Sequence, residues 1–203
     1  MITYVIIAVT AIVSTIAFSK REFLSAMLFN AYLVYHHKKI WRLFSHGFVH
    51  GSWGHLFFNM LTLYFFGTNT DLWFQAAWGK VWGSVLFVLL YVSAIAVSSI
   101  ADLVKYRSNP NYNALGASGA VSAVLFASVF FDPKMGIYIY LIPIPIPGFI
   151  FAPLYLIYCQ WMARRGRDNI GHTAHFWGAV YGFIFPLIFQ PSLIHHFLSY
   201  FIK

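Results

Sequence analysis

The sequence predicts an all-α membrane protein of six transmembrane helices, and three observations predict it. The 203 residues are 60% hydrophobic and only 9% charged, where a soluble domain carries about 25% charged residues. Mean hydropathy is +0.70. Apolar runs recur along the whole chain, each near the roughly 20 residues that cross a bilayer as a helix. The length suits a single membrane domain over residues 1–203, with no separate soluble domain of ordinary size beside it.

The runs fall at about 2–18, 53–68, 82–101, 117–131, 148–163 and 173–190. The first has no basic residue ahead of its apolar core and only a weak small-x-small pattern near Ala17, so a retained helix is expected, not a signal peptide. Residues 19–52 are the longest connection. They mix Lys20, Arg21, Glu22, Lys38, Lys39 and Arg42 with Phe23, Leu24, Met27, Phe29, Tyr32 and Tyr35, which suits a long interfacial loop lying in the headgroup layer between the first two helices. Trp41 and Trp53 match the same level. The second run carries His55 and Asn59, four apart and so on one helical face. Residues 69–81, with Asp71, Trp73, Trp78 and Lys80, are expected as a loop. Residues 102–113 are expected as a polar loop turning at Asn109-Pro110-Asn111. The fourth run opens on Gly116-Ala117-Ser118-Gly119-Ala120 and stops at Asp132-Pro133. Pro143, Pro145 and Pro147 alternate with Ile, which excludes helix and favours an extended approach to the fifth run. Arg164, Arg165, Arg167 and Asp168 separate the last two.

Thirteen Lys and Arg against five acids make a net charge of +8. They flank the apolar runs and form no single water-facing patch, so a nucleic-acid partner is excluded and the anionic bilayer surface is predicted as theirs. Ten of the thirteen lie in loops on the side holding Ser118 and His175, and only Lys80, Lys134 and Lys203 on the other. The positive-inside rule, taken alone, puts the first side in the cytoplasm. Cys159 is the single cysteine, so no internal disulfide can form.

Polar groups inside apolar runs are expensive and mark function by default. Ser118 as a nucleophile needs a base, because an unassisted hydroxyl is scarcely ionised. His175 is the candidate. Gly178 and Gly182 share its helical face and make a small-residue strip that lets this helix press against another. Gly116, Gly119 and Ala120 offer matching smallness beside Ser118. Asn59, His55 and the Ser118 backbone N–H are the candidate oxyanion donors. The acids Glu22, Asp71, Asp102, Asp132 and Asp168 all fall in expected loops or run ends, so the unit is a Ser–His dyad without a carboxylate.

The same inventory removes rival proteolytic chemistries. No apolar run holds the two acids of an aspartyl mechanism, the only Glu has no neighbouring His for a zinc protease, and no Lys lies within a run. His46 and His50 have metal-ligand spacing if helical, but a structural role tying residues 19–52 to the helix ends is expected, with no metal. His172 is expected to cap its helix or face water, and Ser122 to be a small packing residue.

Together, Trp41-Arg42, His46, His50, the His55-x-x-x-Asn59 pair, Gly116-Ala117-Ser118-Gly119, and His175 with Gly178 and Gly182 resemble the rhomboid intramembrane serine proteases. The resemblance spans most of the chain. It implies a six-helix bundle around a water-filled cavity, Ser118 as nucleophile, His175 as general base, and His55 and Asn59 holding the oxyanion. Gly116, Gly119, His50, Gly178 and Gly182 would support them. It further implies single-pass transmembrane proteins as substrates, cleaved in or near their membrane segment, and no metal or organic cofactor. One departure stands out: some members carry a Tyr four residues after the serine, on which the histidine stacks, and here that position is Ser122. Another aromatic then supports His175, or its orientation is looser. The resemblance also puts the catalytic opening on the non-cytoplasmic side, against the charge count. The alternative reading is a catalytically inactive relative that binds or escorts membrane proteins, although such a protein has no reason to retain Ser118 with His175. A transporter is disfavoured because the usual inverted repeat is not visible.

Overall fold

Every apolar run is helical in the computed structural model of the chain, which describes residues 1–139, 144–166 and 170–202. Pro143, Arg167, Asp168 and Lys203, assigned above to loops and the terminus, lie outside the described residues. The first helix, α1 (Ile2–Ser19), shows how a membrane solvent sorts side chains. Val5, Val9, Ile12 and Ile16 are exposed, whereas Thr3, Thr10 and Ser14 are buried. Hydrocarbon accepts the branched apolar residues, so the hydroxyls turn inward, where Ser14 bonds the Phe48 carbonyl and the His50 ring.

Residues 19–52, expected as a long interfacial loop, carry secondary structure of their own. They form three short helices, α2 (Arg21–Met27), α3 (Ala31–His37) and α4 (Arg42–Ser45), and a 3-10 turn at His46–Phe48. Arg42 holds them together: buried, it donates through one guanidinium nitrogen to the carbonyls of Ser25 (3.0 Å) and Leu28 (2.6 Å). Ser45 adds a bond to the Met27 carbonyl.

The second run is longer than predicted. Helix α5 (Trp53–Thr62) passes through a π turn at Leu63–Gly67 into α6 (Thr68–Trp78), so the loop expected over 69–81 is helical as far as Trp78. No glycine or proline interrupts residues 68–78, and their polar side chains find partners on neighbouring helices. Thr70 bonds Ser128 at 2.6 Å. Asp71 is fully buried and accepts from the Gln75 amide (2.9 Å), the Ser84 hydroxyl (3.1 Å) and the Ile2 N–H (3.3 Å). The chain turns only at Gly79, whose φ of +81° opens α7 (Lys80–Ser98). The start of the expected polar loop at 102–113 is also helical, as α8 (Ile100–Tyr106), and Asp102 there is buried, accepting from the Tyr112 hydroxyl at 2.8 Å. Three of the five acids, Glu22, Asp71 and Asp102, therefore lie within helices and not in loops.

Helix α9 (Ser118–Phe131) is the core, with every residue from Gly119 to Phe131 buried. It is followed by two short strands, β1 (Gly136–Ile137) paired antiparallel with β2 (Ile146–Pro147), so Pro147 lies in extended backbone just ahead of the next helix. Helices α10 (Gly148–Arg165), α11 (His172–Phe189) and α12 (Leu193–Ser199) complete the chain. Helices α7 and α11 both pack against α9 and against each other within one apolar core. By length and composition, among the described residues, α1 and the stretch Lys80–Tyr106 are apolar enough to cross a bilayer, and α9 is a shorter apolar helix.

Candidate active site

Ser118 is the first residue of α9, with Ala117 as its N-cap. The opening turn of any helix leaves backbone N–H groups without intrahelical partners, and here they face a cavity. The Ala117 N–H is committed: it donates to His50 Nε2 at 3.3 Å. The His50 Nδ1–H then donates to Ser14 Oγ (2.9 Å), and the Ser14 hydroxyl donates to the Phe48 carbonyl (2.9 Å). This chain requires a neutral ring protonated on Nδ1. Burial, helped by His55 with its ring centroid 4.9 Å away, pushes the His50 pKa down to about 3. His50 is thus a bracket joining α1 to the start of α9.

Gly116 has φ +112°, and a Cβ there would lie 2.5 Å from His55 Cε1. Its N–H donates to the His46 carbonyl at 2.9 Å. The His46 ring in turn bonds Ser99 Oγ at 3.1 Å, and burial pushes its pKa down to about 4. Phe29 and Ala114 exchange backbone hydrogen bonds, while the Asn30 amide reaches Pro110 O (2.9 Å) and Asn113 Oδ1 (3.1 Å) and its carbonyl caps α3. The loop that presents Ser118 therefore hangs on residues 27–50. Sequence reading assigned His46 and His50 a structural role but carried no sign of Asn30 or Ser14.

Helices α9 and α11 meet backbone to backbone. A Cβ on Gly178 would lie 2.8 Å from the Gly119 carbonyl carbon, and one on Gly182 would run into the Ala123 carbonyl. A Cβ on Gly119 would lie 3.4 Å from the Ala174 carbonyl oxygen. Ser118 adjoins Gly119 and His175 adjoins Ala174, so the two residues lie at the end of this contact where α9 and α11 begin. Ser118, His175, His55, Asn59, Gly116 and Gly119 line one cavity of about 1190 Å³, at the end of the bundle where α5, α9 and α11 begin. His50, Gly178 and Gly182 stand behind that wall. The Asn59 amide donates to the His55 carbonyl at 2.9 Å, and its nitrogen carries a second hydrogen.

A model of the rhomboid domain matches residues 37–192. This chain belongs to the rhomboid family. It is 30% identical over 150 residues to the rhomboid protease GlpG of Haemophilus influenzae, covering 74% of this chain and 70% of that one. It is 29% identical over 144 residues to the mitochondrial RHOMBOID-like protein 12 of Arabidopsis thaliana, covering 68% of this chain and 43% of the plant protein. The family is one of integral membrane proteins. In this rhomboid the matched stretch contains every candidate site residue expected from the sequence, while Ser14, Phe29 and Asn30 lie outside it.

Two expectations near the site are corrected. Ser122 is not merely a packing residue: its hydroxyl bonds Tyr155 of α10 at 2.8 Å, and both line the cavity. His172 does not lie open to water. It is buried with its ring 5.9 Å from that of His175 and 5.6 Å from that of Tyr158. An aromatic ring therefore stands beside His175 after all, contributed from the same helix one turn earlier. Cys159 of α10 completes a cluster in which the ligating atoms of Cys159, His172 and His175 lie within 4.8 Å of one another. The sequence offered no signal for it, because a single Cys in an apolar run resembles any other small core residue.

Proposed function

We propose that this rhomboid is an intramembrane serine endopeptidase working through a Ser118–His175 dyad, its six apolar runs spanning the bilayer. The observation that carries the reading is the glycine contact between α9 and α11, which sets the two residues at the starts of touching helices on one cavity wall. His175 takes the Ser118 proton as Oγ attacks the scissile carbonyl. The oxyanion develops beside the opening turn of α9, where the Ser118 N–H, Asn59 and His55 are the donors, each worth roughly 3–4 kcal/mol of transition-state stabilisation in other hydrolases. His175 returns the proton to the leaving amine, and cavity water then hydrolyses the acyl-enzyme by the same base.

Substrates in this reading are single-pass transmembrane proteins. A helix hides its carbonyls in hydrogen bonds, so segments with Gly or other helix breakers open most readily. The cavity opens on the non-cytoplasmic side. That orientation is checked by a cysteine at Asn111, which is exposed, labelled with an impermeant maleimide in intact cells; Cys159 is buried and stays silent.

The decisive experiment incubates purified protein with a single-span substrate, beside Ser118→Ala and His175→Ala. Cleavage by the parent alone is expected, together with fluorophosphonate labelling that Ser118→Ala abolishes. Intact substrate and no labelling with folded parent protein would overturn the reading in favour of an inactive relative that binds membrane proteins.

A further inference from the structure

We propose that Cys159, His172 and His175 form an inhibitory zinc site that takes the general base out of service. The proposal rests on the dyad reading for its consequence, but not for the binding itself. Its basis is the cluster already described: one thiol and two imidazoles from two packed helices, with ligating atoms within 4.8 Å of one another.

His172 and His175 are three apart on the first turn of α11 and so share a face. Cys159 reaches them from α10 and is fully buried. Two neutral imidazoles and a thiolate make a borderline-soft donor set that suits Zn²⁺ far better than Mg²⁺ or Ca²⁺. Zn²⁺ holds nitrogen at about 2.0–2.1 Å and sulfur at about 2.3 Å in a tetrahedron, which asks the donors to close by roughly 1 Å from their present spread. Rotations about χ1 and χ2 supply such a movement without shifting either helix. The ion arrives through the cavity, because His172, His175, Met162 and Ala163 all line it.

Binding balances simply. The Cys159 thiol gives up its proton to solvent, the sulfur and two imidazole nitrogens donate lone pairs, and a cavity water fills the fourth position. Affinity therefore rises with pH. The lone pair His175 gives to zinc is the one it needs to accept the Ser118 proton, so the metal-bound form cannot start acyl transfer. Loss of metal restores the base.

The test uses the full chain in detergent, stripped of metal and titrated with Co²⁺ as a spectroscopic probe for Zn²⁺. A thiolate-to-cobalt charge-transfer band is expected in the near ultraviolet, lost on adding Zn²⁺ and absent from Cys159→Ser. His172→Asn, which keeps Cys159 and His175 as donors, should weaken Co²⁺ binding by at least the roughly 10–100-fold that loss of an outer-sphere partner costs at other metal sites. In the cleavage assay, Zn²⁺ should inhibit the parent at concentrations that leave Cys159→Ser active. No charge-transfer band from folded parent protein, or equal zinc sensitivity of parent and Cys159→Ser, would overturn the proposal. The band is read without turnover, so an inactive protein that still binds Co²⁺ through Cys159 would sink the protease reading and leave the metal site standing.

Discussion

Gly178→Ala probes the contact on which the site depends. The added Cβ would lie 2.8 Å from the Gly119 carbonyl carbon, where carbon atoms settle at about 3.5–4.0 Å, so α11 and α9 must separate by roughly 0.7 Å or more. The obstacle is backbone, which cannot swing aside as a side chain would. Overpacking of this kind costs about 1–3 kcal/mol. The functional loss should be larger in proportion, because His175 lies one turn from the wedge and misplacement of a catalytic group by about 1 Å can cost 10²-fold in rate. The expected outcome is a folded protein with a lowered melting temperature, cleaving a single-span substrate about 10²-fold more slowly. Gly54→Ala is the matched control. Nothing lies within 4 Å of its Cβ position on α5, and replacing a helical glycine there should be neutral or stabilising by up to about 1 kcal/mol. A Gly178→Ala protein with the stability and rate of the parent would refute the claim that backbone contact sets the dyad.

Three further outcomes are expected. Stability should fall on acidification below pH 6.5, because the unfolded chain takes up protons at His46 and His50 while the folded chain, with values near 4 and 3, does not. Nothing is lost above pH 6.5; at pH 5 each ring removes about 2 kcal/mol, so thermal unfolding of His50→Gln should show a smaller drop between pH 7 and pH 5 than the parent, and an equal drop would remove His50 from the account. Gly116→Ala forces a side chain into a φ of +112° and against the His55 ring; a backbone strain of about 1–3 kcal/mol and a fall in kcat, bounded by the roughly 10²–10³-fold of one lost oxyanion donor, should appear in unfolding and cleavage assays. Asp71→Leu orphans donors on Gln75, Ser84 and Ile2, each costing about 1–3 kcal/mol when buried, and should lower the melting temperature with little change in KM, since Asp71 does not line the cavity.

Much of the candidate site was legible because the chemistry proposed for it needs particular residue types at particular spacings. Ser118 between two small residues, His175 with glycines three and seven positions on, and the His55–Asn59 pair are patterns that one helical face can display. Less legible was whatever depends on partners far apart in the chain. Asp71 read as a loop acid because charge disfavours a span, and its burial is tolerable because Gln75 one turn on, Ser84 of α7 and the Ile2 N–H of α1 all donate to it. Residues 19–52 read as an interfacial loop because their polarity is mixed, yet Arg42 finds two carbonyls inside them and rolls them into short helices.

By itself the sequence determined the helical membrane class, the positions of its apolar runs and the residue types available for catalysis, because hydropathy and small-residue periodicity are local properties. The tertiary structure alone decided which hydroxyls of α1 face inward, how His50 holds Ala117, that Ser122 meets Tyr155, and that Cys159 lies beside two histidines. Each of these joins residues on different elements of the chain, and their pairing depends on the rotation of one helix about its axis relative to another. Backbone contact at Gly119, Gly178 and Gly182 sets that rotation for α9 and α11, and no run of residues read alone encodes it.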